Sequence, residues 1–282
     1  MKFTGERLIP KENKDQVIYL EHMTRYFFAG QFVKNKVVLD IACGTGYGSH
    51  HLLEKGASQV VGLDISQEAI EYARRKYQND KLEFIQRDVM DIPSPNDYFD
   101  VVVSFETIEH IQNQEGFLKE AKRVLKKDGL LIISSPNALV VPPGNIFHVK
   151  ELAPKEFNNL LSSHFKFKEF FYQDNVTSSY ILSERLINKD DHHEIKLQDF
   201  KLSASSADQN LFWIGFASDG NLPQVTELVV LFSKKDLEQT QLNELERLRK
   251  EMHKIINSPS FRIASLLHRV RMKTPILKRI KR

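Results

Sequence analysis

VLDIACGTGYG, Val38 to Gly48, is the stretch whose reading decides the fold. A short apolar run beginning at Val37 ends in glycines at 44, 46 and 48. Glycines there let the backbone turn sharply at the end of a buried strand and approach a ligand closely. Asp64 follows 18 residues after Gly46, at the end of a second apolar run, Gln59–Leu63. A carboxylate in that place can accept hydrogen bonds from both hydroxyls of a ribose. The spacing is GxGxG, so Ser49 stands where the third glycine of a dinucleotide fingerprint would be. Asp40, Asp64, Asp88 and Glu106 all fall at or just after the ends of apolar runs. A crevice so lined repels a pyrophosphate and favours a ligand that carries cationic groups.

Outward from this turn the same unit recurs. Strands are expected at Val37–Ile41, Gln59–Leu63, Leu82–Gln86, Val101–Phe105 and Leu130–Ser134, with helices near 47–55, 66–77 and 114–126 between them. An amphipathic helix over about 15–33 precedes the series. Alternation at this spacing implies a parallel sheet covered on both faces. Past Pro136 a helix at 154–164 has proline in its first turn, and strands at 165–172 and 211–217 close the sheet. Residues 174–210 have no legible pattern, and 222–232 reads as strand or helix. The fold class is therefore α/β: a doubly wound, mostly parallel, seven-stranded sheet with a C-terminal helical extension. The catalytic domain spans 1–234, an amphipathic helix 235–257 and a basic amphipathic tail 258–282.

The 282 residues are 41% hydrophobic and 27% charged, as in an ordinary globular chain. The single Cys43 cannot form an internal disulfide and reads as a small space-filling residue. No apolar run reaches the roughly 18 residues of a membrane span, and the start lacks the core of a signal peptide. The expected location is cytoplasmic. The formal charge of +3 hides an asymmetry: residues 252–282 carry +9, which leaves −6 on the body. Such a tail points to an anionic membrane surface, peripheral at the inner face of the plasma membrane. No nucleic-acid partner is expected, because the body lacks a basic face with interleaved aromatics.

VLDIACGTGYG, VVGLD, the pair Asp88-Val89, VVVSFETIEH and VLKKDGLLIISSPN together resemble the class I S-adenosylmethionine-dependent methyltransferases over about residues 36–137. The resemblance implies S-adenosyl-L-methionine as cofactor. It assigns the ribose to Asp64, the adenine amino group to Asp88 with Val89 against the ring, and the methionine part to the turn Ala42–Gly46. Asp40, Gly44, Ile65 and Phe105 complete the expected cofactor set, joined by Arg7 in the start FTGERLIP, which would fold over the cofactor.

After the fourth strand Glu106, Glu109 and His110 stand at i, i+3 and i+4, which share one face of a helical turn. The segment resembles the metal-binding motif of small-RNA 2′-O-methyltransferases and ubiquinone-pathway O-methyltransferases, with His148 as a further ligand. It implies a divalent cation of Mn, Mg or Zn type held by Glu106, Glu109, His110 and His148. The alternative is metal-free: Glu106 caps cofactor or helix, Glu109 is solvated, and His110 or His148 is the general base. FTGERLIP and IISSPN…FHVKEL…EF also resemble methyltransferases encoded with bacterial cell-surface polysaccharide assembly (O-antigen or capsule). The implied acceptor is a sugar or lipid-linked glycan hydroxyl, with a polysaccharide-assembly protein as possible partner. Competing with it are a small quinone-precursor acceptor and a membrane-docked assembly factor with vestigial cofactor binding. Intact Asp40, Gly44, Gly46 and Asp64 count against the last.

Overall fold

The computed structural model describes residues 17–140, 145–175, 210–226 and 228. Helix α1 (Val17–Ala29) runs into a 3-10 turn (Gly30–Phe32) and leads to β1 (Val37–Ile41), α2 (Tyr47–Glu54), β2 (Gln59–Asp64), α3 (Gln67–Lys76) and β3 (Leu82–Gln86). Then come β4 (Phe99–Ser104), a 3-10 turn (Ile108–His110), α4 (Gln114–Val124), β5 (Leu125–Pro136), α5 (Pro154–Ser162), β6 (Phe167–Gln173) and β7 (Phe212–Ser218). One seven-stranded sheet has the order β3-β2-β1-β4-β5-β7-β6. Neighbours are parallel from β3 to β5, and β7 runs antiparallel to both β5 and β6.

The strands are apolar on both sides because each side chain in turn meets a different helical layer. Val38, Val60, Val101, Val103 and Ile132 join one core cluster with Tyr26 and Phe28 of α1, Leu52 of α2 and Ile70 of α3. Leu39, Val61, Val102, Leu131 and Ile133 join the other, with Phe117 and Leu118 of α4 and Phe157 and Leu161 of α5. Local caps fix the helix starts. Ser66 accepts from the Ala69 amide at 3.3 Å, and Asn113 accepts from the Gly116 amide at 2.9 Å. At α5 the Glu156 carboxylate accepts from the Ala153 amide, with Pro154 in the first turn as expected.

The structure departs from the sequence reading in three places. β5 begins at Leu125 rather than Leu130, because Leu125 pairs with Phe99 before the register slips and Val101 pairs with Leu130. Residues 222–226 are neither strand nor helix; Leu222 and Val225 pack on the core as irregular chain. The helical reading of 15–33 resolves into α1 and a separate 3-10 turn. Arg7, the helix over 235–257 and the tail over 258–282 lie outside the described residues. No helix among the described residues is long and apolar enough to cross a membrane.

Gly48 shows how tightly the first layer packs. A Cβ there would stand 1.9 Å from the Tyr26 ring. Gly48→Ala should therefore destabilise the protein by about 1–3 kcal/mol through overpacking, despite alanine's roughly 1 kcal/mol better helix propensity. Denaturant unfolding measures this; an unchanged or higher stability would show that the ring gives way freely.

Candidate active site

The strand order reverses between β1 and β4, and in open α/β sheets the crevice outside the carboxyl ends at that point is where ligands bind. The turn after β1 lies there. Ala42, Gly44 and Gly46 have φ of 58°, 55° and 79°. A Cβ at Gly44 would meet nothing within 4 Å, so this residue faces open space. The Gly46 position has no such room, since a Cβ would clash with Phe84 and Ala73. The Cys43 amide donates to the Leu63 carbonyl at 2.9 Å and ties the turn to β2. Burial pushes the Cys43 thiol well up, so it stays protonated and fills space beside Gly62.

Asp64 braces the turn from the next strand. Its carboxylate accepts from the Gly44 amide at 2.9 Å and from the Ser66 amide at 2.8 Å. Each oxygen keeps a further lone pair for a ligand hydroxyl. Beside it Ile65 is 64% exposed, an apolar surface at the crevice mouth. Asp88 is exposed and accepts from the Met90 amide, and Val89 is half-buried against the core. Asp64, Ile65, Asp88 and Val89 thus stand at the ends of β2 and just past β3.

Two residues expected to bind cofactor do something else with their side chains. Asp40 is fully buried: it accepts from the Ser49 hydroxyl at 2.6 Å and from the Tyr26 hydroxyl at 3.1 Å. It supports the turn from behind and is not on the crevice wall. Phe105 is buried with its ring against Tyr26, centroids 5.0 Å apart, which leaves only its backbone for a ligand.

The segment after β4 is also built differently from the helical face expected of Glu106, Glu109 and His110. Glu106 has φ of 49°, and helix geometry begins only with the 3-10 turn at Ile108. Ser134 holds this conformation, accepting from the Glu106 amide at 3.0 Å and donating to its carboxylate at 2.7 Å. Glu106 therefore turns toward Ser134 and Arg25 and away from the histidines. Glu109, His110 and His148 do converge, each offering a ligand atom within 4.8 Å of the others. Glu109 is 0% exposed, so the solvated carboxylate of the metal-free alternative is not what the structure shows.

The 145–151 loop delivers His148 by backbone clips. The Val149 and Lys150 amides both donate to the Glu109 carbonyl, at 2.8 and 3.0 Å. His110 Nδ1 lies 3.0 Å from the Phe147 carbonyl, which selects the Nδ1–H tautomer and leaves Nε2 4.0 Å from the buried Glu109 carboxylate. His148 Nδ1 meets the Glu151 carboxylate at 2.5 Å, while its Nε2 accepts from the Asn145 amide group at 2.9 Å. His110, with its Nδ1–H held by a carbonyl, is oriented as a metal ligand or proton acceptor needs to be; His148 would first have to release Asn145 from its Nε2. Asn145, Glu151, Ser134 and Tyr26 were missed in the sequence. So was Arg25, whose signal was a cation three and four positions before the buried Phe28 and Ala29.

Residues 39–133 match the family model described as a methyltransferase domain. A Mycobacterium tuberculosis protein named as a probable S-adenosylmethionine-dependent methyltransferase is 34% identical over 166 residues, 57% of this chain and 60% of that one. The chain thus spans less than two thirds of that relative. The ubiquinone biosynthesis O-methyltransferase of Pelagibacter ubique is 36% identical over 110 residues, 37% of this chain and 44% of that one. Among solved structures, a SAM-dependent methyltransferase from Archaeoglobus fulgidus shares the fold with a TM-score of 0.51 at 17% identity, covering 74% of this chain and 96% of that one.

Burial pushes the Asp40 carboxyl up to about 7, with nearby Asp64 adding to it and the Ser49 and Tyr26 hydrogen bonds opposing. The folded state then holds this proton more tightly than the unfolded chain does. Its stabilisation is complete below the ordinary carboxylate range and is lost as pH rises toward 7. Relative to Asp40→Asn, the parent's unfolding free energy should fall across that window, by at most about 1.4 kcal/mol per pH unit. Parallel pH profiles for the two proteins would show that Asp40 is already charged in the native state.

Proposed function

We propose that this chain, which matches a methyltransferase-domain model over residues 39–133, is a class I S-adenosylmethionine-dependent O-methyltransferase whose acceptor is a hydroxyl of a cell-surface sugar or lipid-linked glycan. The observation that carries the cofactor reading is the turn of Ala42–Gly46, with Gly44 open to the crevice and its amide held by Asp64. The donor set fits the group. Asp64 keeps lone pairs for ribose hydroxyls, Ile65 and Val89 give apolar surface for an aromatic base, and Asp88 can accept from an exocyclic amine. Bound there, the cofactor supplies a methyl group activated by its sulfonium.

Transfer to oxygen requires the acceptor hydroxyl to lose its proton as the new bond forms. His110 is the base we assign, since its Nδ1–H is engaged by Phe147 and Nε2 accepts the proton. His148, oriented by Glu151, stands beside it with ring centroids 4.9 Å apart. The same atoms suit a divalent cation. Glu109, His110 and His148 would hold it, and its charge would lower the pKa of an acceptor hydroxyl. Glu106 is left out of that ligand set, because its carboxylate is committed to Ser134.

The glycan acceptor is supported by the resemblance of IISSPN and FHVKEL to the polysaccharide-linked group, and FHVKEL is the loop that delivers His148. The basic tail would suit an acceptor anchored at an anionic membrane surface. A second reading, a small quinone-precursor acceptor, is favoured by the loop's apolar rim: Ile146 is 87% exposed, Phe147 47% and Val149 51%.

Incubation with methyl-labelled cofactor and two acceptor panels, nucleotide sugars with lipid-linked glycans against dihydroxylated phenols, tests both. Label on a sugar oxygen is expected; label only on phenols would select the second reading, and label on nitrogen or carbon would overturn O-methylation. His110→Ala should reduce turnover by roughly 10²–10⁴-fold, the usual contribution of general acid–base catalysis. Exhaustive chelation separates the two roles of His110: lost turnover would make it a ligand of the cation. Full activity after chelation would remove the cation and leave the histidine base.

A further inference from the structure

Gln114 opens α4, yet its side chain reaches back to the segments that carry the two histidines. It is 6% exposed. Its Nε2 donates to the Ile108 carbonyl at 2.9 Å and to the Lys150 carbonyl at 3.0 Å. A primary amide nitrogen carries two hydrogens, so these bonds use both. One acceptor lies in the 3-10 turn that ends at His110, and the other lies two residues past His148. A single side chain therefore joins the turn to the loop.

The bridge adds what the main-chain clips lack. The Val149 and Lys150 amides both close on the Glu109 carbonyl. Bonds that converge on one oxygen fix a distance and leave a hinge about it. Gln114 supplies the second point of attachment, which stops the loop from swinging. Without its amide the Ile108 carbonyl keeps the Ile111 amide at 3.2 Å, but the Lys150 carbonyl is left facing another acceptor. Two carbonyls so placed repel once the donor between them is gone, so the loop would move off the turn. The start of α4 does not need this side chain, since Asn113 caps the helix through the Gly116 amide.

We propose that Gln114 is a positioning residue that sets the spacing of His110 and His148, whose ring centroids are 4.9 Å apart, and through it their joint grip on a cation. The inference rests on the reading of the histidine pair above. It places the control of that pair on α4, outside the segments that contribute the imidazoles.

Two variants isolate the bridge. Gln114→Met keeps the length and removes both donors; Gln114→Glu keeps the shape and sets a carboxylate against both carbonyls. Cobalt(II) titration, followed by the visible spectrum, reads the pair without an acceptor. Both variants should bind cobalt roughly 10- to 100-fold more weakly than the parent, the usual effect of losing a group that orients metal ligands. Calorimetry with S-adenosylhomocysteine should return the parent affinity, because the glycine turn is braced by Asp64 instead. Long-range proton–nitrogen spectra of the imidazoles give a metal-free readout: the His110 and His148 signals should shift, while that of His50 on α2 stays. Should Gln114→Met not fold by circular dichroism, Gln114→Glu carries the comparison. Parent-like cobalt affinity with parent-like ring signals would overturn the proposal. So would an equal loss of S-adenosylhomocysteine binding, which would mark a general loss of structure. If the parent itself binds no cobalt, the cation reading falls alone, and the ring signals decide whether Gln114 positions the pair.

Discussion

Everything at the carboxyl edge of the sheet leans on one buried carboxylate. Asp40 lies in β1 and accepts from Tyr26 on α1 and from Ser49 on α2, so three elements meet at one acidic group with no exposed surface. The two hydroxyls satisfy a group that would otherwise be strongly destabilising in an apolar layer. They also set positions. Tyr26 brings α1 over the turn, Ser49 fixes the start of α2, and the turn between β1 and α2 has little freedom left. The left-handed backbone at Ala42 is retained because its surroundings over-determine it.

A second strained residue stands across the crevice. Glu106 adopts positive φ at the end of β4, held through both its amide and its carboxylate by Ser134 of β5. Strain at the ends of two adjacent strands, each stabilised by side chains from a neighbouring element, is the pattern of a preorganised binding site. The histidine cluster obeys the same logic with backbone in place of side chains. The Glu109 carbonyl takes two amides from the loop that carries His148, so the two histidines are brought together by main-chain bonds.

The sheet was legible in the sequence because its strands are short, apolar and punctuated by glycine or acid, and burial on both faces leaves that mark whatever the detail of packing. The glycine turn and Asp64 were legible for the same local reason. Asp40 stands in the glycine motif, but the motif does not say whether its side chain looks forward to a ligand or back into the core; Tyr26, 14 residues earlier, decides that. Glu106 was placed with Glu109 and His110 on helical spacing, and one residue of left-handed backbone separated them. Arg25 needed its partners Gln173 and Phe212, which are nearly 150 and 190 positions away and carry no local signature.

The contact between Gly48 and Tyr26 has a consequence for how this sequence can drift. The phenol ring occupies the volume that any side chain at position 48 would need, and it cannot retreat without releasing Asp40. The two positions therefore form a lineage-level lock: a larger residue at 48 becomes tolerable only after the ring at 26 has shrunk, and a smaller residue at 26 leaves a hole that glycine cannot fill. Neither single step is neutral. Descendants of this chain should keep the pair together or exchange both members, which makes the pairing a better marker of common ancestry than the glycine-rich turn, since unrelated nucleotide-binding sheets reach such turns independently.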